Sequence, residues 1–188
     1  MRNMHLIANG ANVAGLVAEL HRQPNLWNQV TLRTAPEQSP HHGLDDIWLR
    51  YNPLENYDPE KGLAEFNKEH DAAWYPAFYA LPSARKLIFD LMRLVEGERL
   101  GFVLITRIAP GKTCLPHIDG GWHAGYYDKY AIQLESVPGQ AFCFEDEALE
   151  AQPGDVYWFN NLNEHWVVNP TPHDRMTMIV CIRTNRGG

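Results

Sequence analysis

Apolar positions change their period partway along the chain. Val13, Leu16, Val17 and Leu20 recur at three- and four-residue steps, and Pro24 with Asn25 closes the run. That spacing predicts an amphipathic helix of about three turns. Leu6-Ile7-Ala8 just before it suits a short edge strand. Val30-Thr31-Leu32-Arg33 and Ile47-Trp48-Leu49-Arg50-Tyr51 alternate apolar and polar side chains and predict two strands. The turn-rich stretch 36–46 between them carries His41 and His42, expected as solvated loop residues. Residues 52–71 are polar and broken by Pro53, Pro59 and Gly62, which predicts a long surface excursion, a lid or binding element. Trp74, Tyr75, Phe78, Tyr79 and Leu81 are expected to pack under it as core. Pro82-Ser83 opens the clearest helix, with Ser83 as N-cap, Leu87, Ile88, Leu91, Leu94 and Val95 on one face, and Gly97 at its end.

Beyond Gly97 no helical pattern of comparable strength occurs. Phe102–Ile108, Leu115–Ile118, Tyr130–Ser136, Ala141–Glu145, Val156–Phe159, His165–Asn169 and Arg175–Arg183 read as strands, with turns at Pro110-Gly111, Pro138-Gly139 and Pro153-Gly154. Short strands at near-regular spacing predict a mainly β body, closed or double-layered, most simply a jelly roll with the two helices over one outer face. The chain shows no repeat, low-complexity segment or linker. One domain over 1–188 is expected, with a support region at 1–100 and a core at 101–186.

A chain of 188 residues buries roughly 70% of its unfolded surface, enough to hold together without a disulfide. Sixteen Lys and Arg against 23 Asp and Glu give a net charge of -7. With no basic run, a direct nucleic-acid partner is not expected. Cys114, Cys143 and Cys181 are odd in number, far apart and without CxxC spacing, as suits reduced thiols in a cytoplasmic protein. Met1 to Leu20 mixes polar residues among the apolar ones, so neither a signal segment nor a membrane span is expected there. Oligomeric state has no signature in the residues.

The chemistry gathers between Pro110 and Arg175. In His117-Ile118-Asp119 the period of two sends His117 and Asp119 to one side and Ile118 to the other, into packing. His165 must come from a different strand, and Arg175 follows it. Two imidazoles and one carboxylate can hold one face of an Fe(II) ion and leave the opposite positions open.

This pattern resembles the double-stranded β-helix oxygenases that use Fe(II) and 2-oxoglutarate, and within them the aspartyl/asparaginyl β-hydroxylase and free-amino-acid proline hydroxylase branch. The resemblance is carried by Ile108-Ala109-Pro110-Gly111-Lys112, Leu115-Pro116-His117-Ile118-Asp119 and Lys129-Tyr130-Ala131-Ile132-Gln133-Leu134. It continues through Pro153-Gly154-Asp155-Val156-Tyr157-Trp158-Phe159 and His165-Trp166-Val167-Val168-Asn169 to Asp174-Arg175-Met176-Thr177, roughly the C-terminal half. It implies His117, Asp119 and His165 as catalytic iron ligands, Arg175 on the distal carboxylate of 2-oxoglutarate, and Thr177 beside it as a hydroxyl donor. Lys129 keeps the basic character of the family's next strand and is expected, with Arg175 and Thr177, to help bind the co-substrate. The chain departs from the branch twice. Asp119 stands where the aspartyl/asparaginyl hydroxylases carry a small residue, and Ala131 where they carry a histidine.

The implied activity is hydroxylation of an amino-acid side chain, free or peptidyl, with Fe(II), 2-oxoglutarate and O2, releasing succinate and CO2. Lys129 or Arg50 would meet a substrate carboxylate, and Asn169 or Gln133 would orient the imidazoles. Trp122, Tyr126 and Tyr127 either line the mouth or shield the barrel end. His123 and His173 are expected as solvated loop residues. Two other readings stay open: a cupin-like module that holds a metal or small acid without turnover, and a metal-dependent isomerase or dioxygenase for which Arg175 is dispensable.

Overall fold

In the computed structural model, which describes residues 2–68 and 71–184, the first half of the chain forms β1 (Met4–Ala8), α1 (Ala14–Arg22), β2 (Asp45–Tyr51), α2 (Gly62–Phe66), β3 (Ala73–Trp74), α3 (Pro76–Ala80) and α4 (Pro82–Leu94). The second half forms β4 (Gly97–Ile108), β5 (Thr113–His117), α5 (Gly121–Tyr126), β6 (Asp128–Glu135), β7 (Ala141–Cys143), β8 (Ala148–Leu149), β9 (Val156–Phe159), β10 (His165–Val168) and β11 (Arg175–Thr184). A seven-stranded sheet runs β1-β9-β6-β11-β4-β2-β3, and a four-stranded sheet runs β5-β10-β7-β8. Every recorded pairing is antiparallel. The sheets pack through Ile108, Tyr157 and Phe159 of the larger and Cys114, Phe142 and Val167 of the smaller. The expected jelly roll, a double-stranded β-helix with flanking helices, is the observed architecture.

The two central strands, β4 and β11, show why the sequence folds this way. Their side chains alternate between faces. Val103 and Ile105 of β4 and Met176, Met178, Val180 and Ile182 of β11 join Leu16 and Leu20 of α1 and Leu87, Ile88 and Leu91 of α4 in the main core. Each fully buried aliphatic there contributes roughly 1.5–3 kcal/mol. Phe102, Leu104 and Thr106 of β4 and Arg175, Thr177 and Ile179 of β11 face the other way, into a cavity between the sheets. The helices thus cover one face of the large sheet, leaving the other for chemistry. Among the described residues no helix is long and apolar enough to cross a membrane. The three cysteines are free.

Several elements differ from the sequence reading. Val30–Arg33 is a turn, because Thr34 N and Ala35 N both donate to the Thr31 carbonyl at 3.1 and 2.9 Å. Its alternation arises from a two-sided loop: Val30 and Leu32 pack near Trp48 and Tyr51, while Arg33 donates to Asp46. Ser83 does not cap α4; the cap position is Leu81, with Pro82 in the first turn. The Ser83 hydroxyl instead donates to Glu19 of α1 at 2.6 Å. Gly97 begins β4 rather than ending the helix, and Glu96 takes the left-handed conformation, φ 53°. A Cβ at Gly97 would meet Ile182 Cγ2 at 2.6 Å, so the glycine serves a close strand contact. Of the aromatic group, Tyr75 lies under the excursion and donates to the Asn52 carbonyl, whereas Trp74 stacks on Phe78 at 3.8 Å on the helix side. Tyr79 is exposed. The excursion folds over residues 62–66 into α2; residues 69 and 70 lie outside the described residues, as do 185 and 186 of the expected core.

Candidate metal centre and its cavity

The cavity between the sheets has a volume of about 450 Å³, within the range of small-molecule sites. At one end stand His117, the last residue of β5, Asp119 two residues on, and His165, the first residue of β10. His165 lies opposite His117 in the strand register, which puts their ring centroids 4.4 Å apart. His117 Nε2 lies 3.9 Å from Asp119 Oδ1 and His165 Nε2 lies 3.8 Å from Asp119 Oδ2. One donor atom from each of the three residues falls within 4.8 Å of the others. The convergence expected of these distant residues is therefore present. Ile118 is not packed as expected; it is 60% exposed, because the strand ends at His117 and Asp119 N turns to the Asn161 carbonyl.

Backbone carbonyls set the tautomer of both histidines. His117 Nδ1 lies 2.7 Å from the Leu115 carbonyl, and His165 Nδ1 lies 2.8 Å from that of Asn163. A carbonyl only accepts, so Nδ1 carries the hydrogen and the Nε2 lone pair faces Asp119. Asn169 and Gln133 do not orient the imidazoles. Asn169 donates to the Ile108 and His173 carbonyls, and Gln133 serves Thr177 and neighbouring carbonyls. Burial pushes His165 down to about 4, partly opposed by Asp119, and lowers His117 as well. Burial alone would raise Asp119, but Lys129 and the imidazoles outweigh it and hold the carboxyl below its usual range. At neutral pH the cluster offers two neutral imidazoles and one carboxylate, the donor set of an open-faced Fe(II) site. The Lys129 ammonium bonds Asp119 Oδ2, which places Lys129 at the metal end of the cavity.

Elsewhere in the cavity wall lies Arg175, 2% exposed. Its Nη1 donates to Thr177 Oγ1 at 2.7 Å, and Nη2 lies 3.4 Å from the Tyr157 hydroxyl. Its Nε has no partner, and no carboxylate pairs with it, among the described residues. A buried cation without a counter-ion is costly, several kcal/mol after relaxation. A guanidinium with hydrogen left to donate, held beside a hydroxyl and paired with no carboxylate, fits one carboxylate of a small diacid. The residues present therefore fit both an iron ion and 2-oxoglutarate.

Sequence reasoning missed several wall residues. His41, expected in solvent, has its ring edge-on to His117 at 4.8 Å and its Nδ1 3.3 Å from Cys114 Sγ. His123, also expected in solvent, is buried and stacks on Phe102 at 3.8 Å. Arg33, Tyr51 and, from the excursion, Leu63 and Asn67 complete that side. The Tyr51 hydroxyl donates to Asn67 Oδ1 at 2.7 Å. Phe102 and Tyr51 lie on strands that alternation marks; the others come from loops and short helices with no local pattern. Trp122, Tyr126 and Tyr127 shield the barrel end: they pack with Phe66 and Tyr51, while Gly120, His123 and Ala124 of the same segment form the wall. Trp122 Nε1 donates to the Lys68 carbonyl at 2.7 Å. Arg50 lies outside the cavity wall, over the Trp74 ring at 5.0 Å. His42 and His173 are exposed, as expected.

Comparison with known proteins places these residues in context. The chain matches the aspartyl/asparaginyl beta-hydroxylase family over residues 17–184. No curated protein sequence matches it. An oxidoreductase of the 2OG-Fe(II) oxygenase family from Burkholderia pseudomallei is similar in structure, with a TM-score of 0.57 and 14% identity over 90% of this chain and 83% of that one. A Pseudomonas putida prolyl-4-hydroxylase gives 0.54 and 14% over 98% and 92%. The viral collagen prolyl hydroxylase of Paramecium bursaria Chlorella virus-1, solved as its 2OG complex, gives 0.52 and 9% over 97% and 96%. At these identities the solved structures speak to the fold.

Proposed function

Because the chain belongs to the aspartyl/asparaginyl beta-hydroxylase family, it is a hydroxylase, and we propose that it hydroxylates an amino-acid side chain, free or peptidyl, with Fe(II), 2-oxoglutarate and O2. When bound, iron and 2-oxoglutarate supply an oxidative decarboxylation to succinate and CO2 that is coupled to insertion of oxygen into a C–H bond. The observation that carries the reading is a buried guanidinium, Arg175, without a counter-ion among the described residues, in the same cavity as the His117, Asp119 and His165 cluster.

The chain's own residues have separate tasks. His117 and His165 would hold the metal through Nε2, since their Nδ1 hydrogens are spent on backbone carbonyls. Asp119 would supply the anionic ligand, with Lys129 steadying its second oxygen. Arg175 and Thr177 would bind the far carboxylate of the keto acid. Phe142 lies parallel to His165 at 5.6 Å, and Phe159 tilts against it at the same separation, so that ring is kept dry. The test is succinate release and O2 uptake with Fe(II), 2-oxoglutarate and a panel of amino acids and peptides. A binding module without turnover would take up the keto acid and release no succinate. An oxygenase without keto acid would be indifferent to Arg175→Met.

A further inference from the structure

One row of polar side chains crosses the cavity face of the large sheet. Gln133 of β6 lies opposite Thr177 of β11, Thr177 opposite Thr106 of β4, and Thr106 opposite Asp46 of β2. Two guanidiniums bond members of this row. Arg175 donates to Thr177. Arg33 donates to Asp46 Oδ2 at 3.0 Å, while Thr106 donates to Asp46 Oδ1 at 2.8 Å. Thr177 and Asp46 stand two strands apart, about 10 Å across the sheet, so Arg175 and Arg33 are held at separate points of the row. The row thus holds two separate anion seats. Asp46 is 1% exposed and accepts from Arg33 at one oxygen and Thr106 at the other, so it acts as the rear anchor of Arg33. The Asp46 bond is the only side-chain hydrogen bond of Arg33 among the described residues, and Arg33 is part of the cavity wall.

Charge balance says what the second seat takes. Among Asp, Glu, Lys and Arg side chains, the cavity wall holds Arg33, Lys129, Arg175 and Asp119, with Asp46 behind Arg33. Three cations face two carboxylates. A divalent metal and a dianionic keto acid cancel each other, which leaves one positive charge in the cavity. We infer that Arg33 seats the free α-carboxylate of the amino-acid substrate, whose carbon chain lies along Tyr51, Phe102 and Leu104 and whose nitrogen points to the mouth. This inference rests on the hydroxylase reading above and narrows it: the substrate is a free amino acid, not a side chain within a peptide. A neutral peptide segment would leave that one positive charge of the cavity unbalanced. The planar fork of arginine matches a carboxylate where lysine offers a point charge.

The test compares free amino acids with their primary carboxamides, which keep the shape and lose the anion, and with peptides containing the same residues internally. Binding is measured by calorimetry on protein loaded with Mn(II) and 2-oxoglutarate without O2, and turnover by succinate release with Fe(II). The best acid should bind at least about a hundredfold more tightly than its amide, a difference of about 2.7 kcal/mol. Arg33→Gln should raise the KM for that acid about fiftyfold and leave the KM for 2-oxoglutarate in place; Arg33→Lys should recover part of the loss. Arg175→Met should do the reverse. Amides binding as well as acids, internal peptides outperforming free acids, or Arg33→Gln raising the KM for 2-oxoglutarate instead would each overturn the inference. If Arg33→Gln does not fold, the acid and amide comparison on the unaltered protein still decides. Acids that bind in preference to amides, with no succinate from any compound, would uphold the Arg33 seat and sink the hydroxylase reading alone.

Discussion

The two faces of the large sheet are built from the same strands and obey opposite rules. On the helix face, Ile105, Met178, Val180 and Ile182 are essentially inaccessible, and packing there supplies the stability. On the cavity face, displaced by one residue, Arg175 is equally buried yet lacks a counter-ion among the described residues. Burial stabilises the first set and destabilises the second unless a ligand completes it. A fold can carry such a face only because the other one is so well packed, and the period of two keeps them apart residue by residue.

The largest effect should come from the metal cluster. His117→Ala or His165→Ala is expected to lower iron-dependent succinate release by about a thousandfold, or about 4 kcal/mol in the barrel's activation free energy; retention of iron, measured by metal analysis after gel filtration, would break the assignment. On the opposite face, Met178→Ala should cost about 3 kcal/mol in urea denaturation through the void it leaves, with no change in 2-oxoglutarate affinity. Arg175→Met sharpens the contrast: the Kd for 2-oxoglutarate should rise about a hundredfold, close to 2.7 kcal/mol, while the urea midpoint stays level or rises. A large fall in that midpoint would show Arg175 to be structural.

Protons should separate the faces as well. His165 titrates at about 4 in the fold against about 6.5 unfolded. Between those values the unfolded chain binds more protons, so stability is whole above pH 6.5 and drains as the pH falls toward 4. From pH 7 to pH 5 the metal-free protein should lose about 2 kcal/mol through this group, and His165→Ala should flatten that dependence in urea titrations. The smallest effect belongs to the helix side. Ser83→Ala, which removes the hydroxyl bonded to Glu19, should cost about 1 kcal/mol in the same assay without touching turnover.

Much of the fold was legible because its signals are local. Helical spacing marked α1 and α4, and alternation marked β2, β9 and β11 within two residues of their observed limits, and β4 from Phe102 onward. Short elements escaped: α3, α5 and β8 have at most six residues each, too few for a period to show. The site divided the same way. His117 and Asp119 share one short stretch, whereas His41 and Arg33 reach the cavity from loops and His123 from the six-residue α5, whose paths no neighbouring residue announces.

Which side chains alternate, and therefore which are available to each face, is written in the order of residues, as is the set of donor types for a divalent cation. What only the tertiary structure decided is which distant groups answer one another. Arg33 finds Asp46 thirteen positions away and Asp46 finds Thr106 sixty away, while Thr177 meets Gln133 forty-four away. Periodicity reflects the geometry of a single strand, but a charge is satisfied or left open by whatever the folded chain brings within about 3 Å of it, and that depends on the whole sheet.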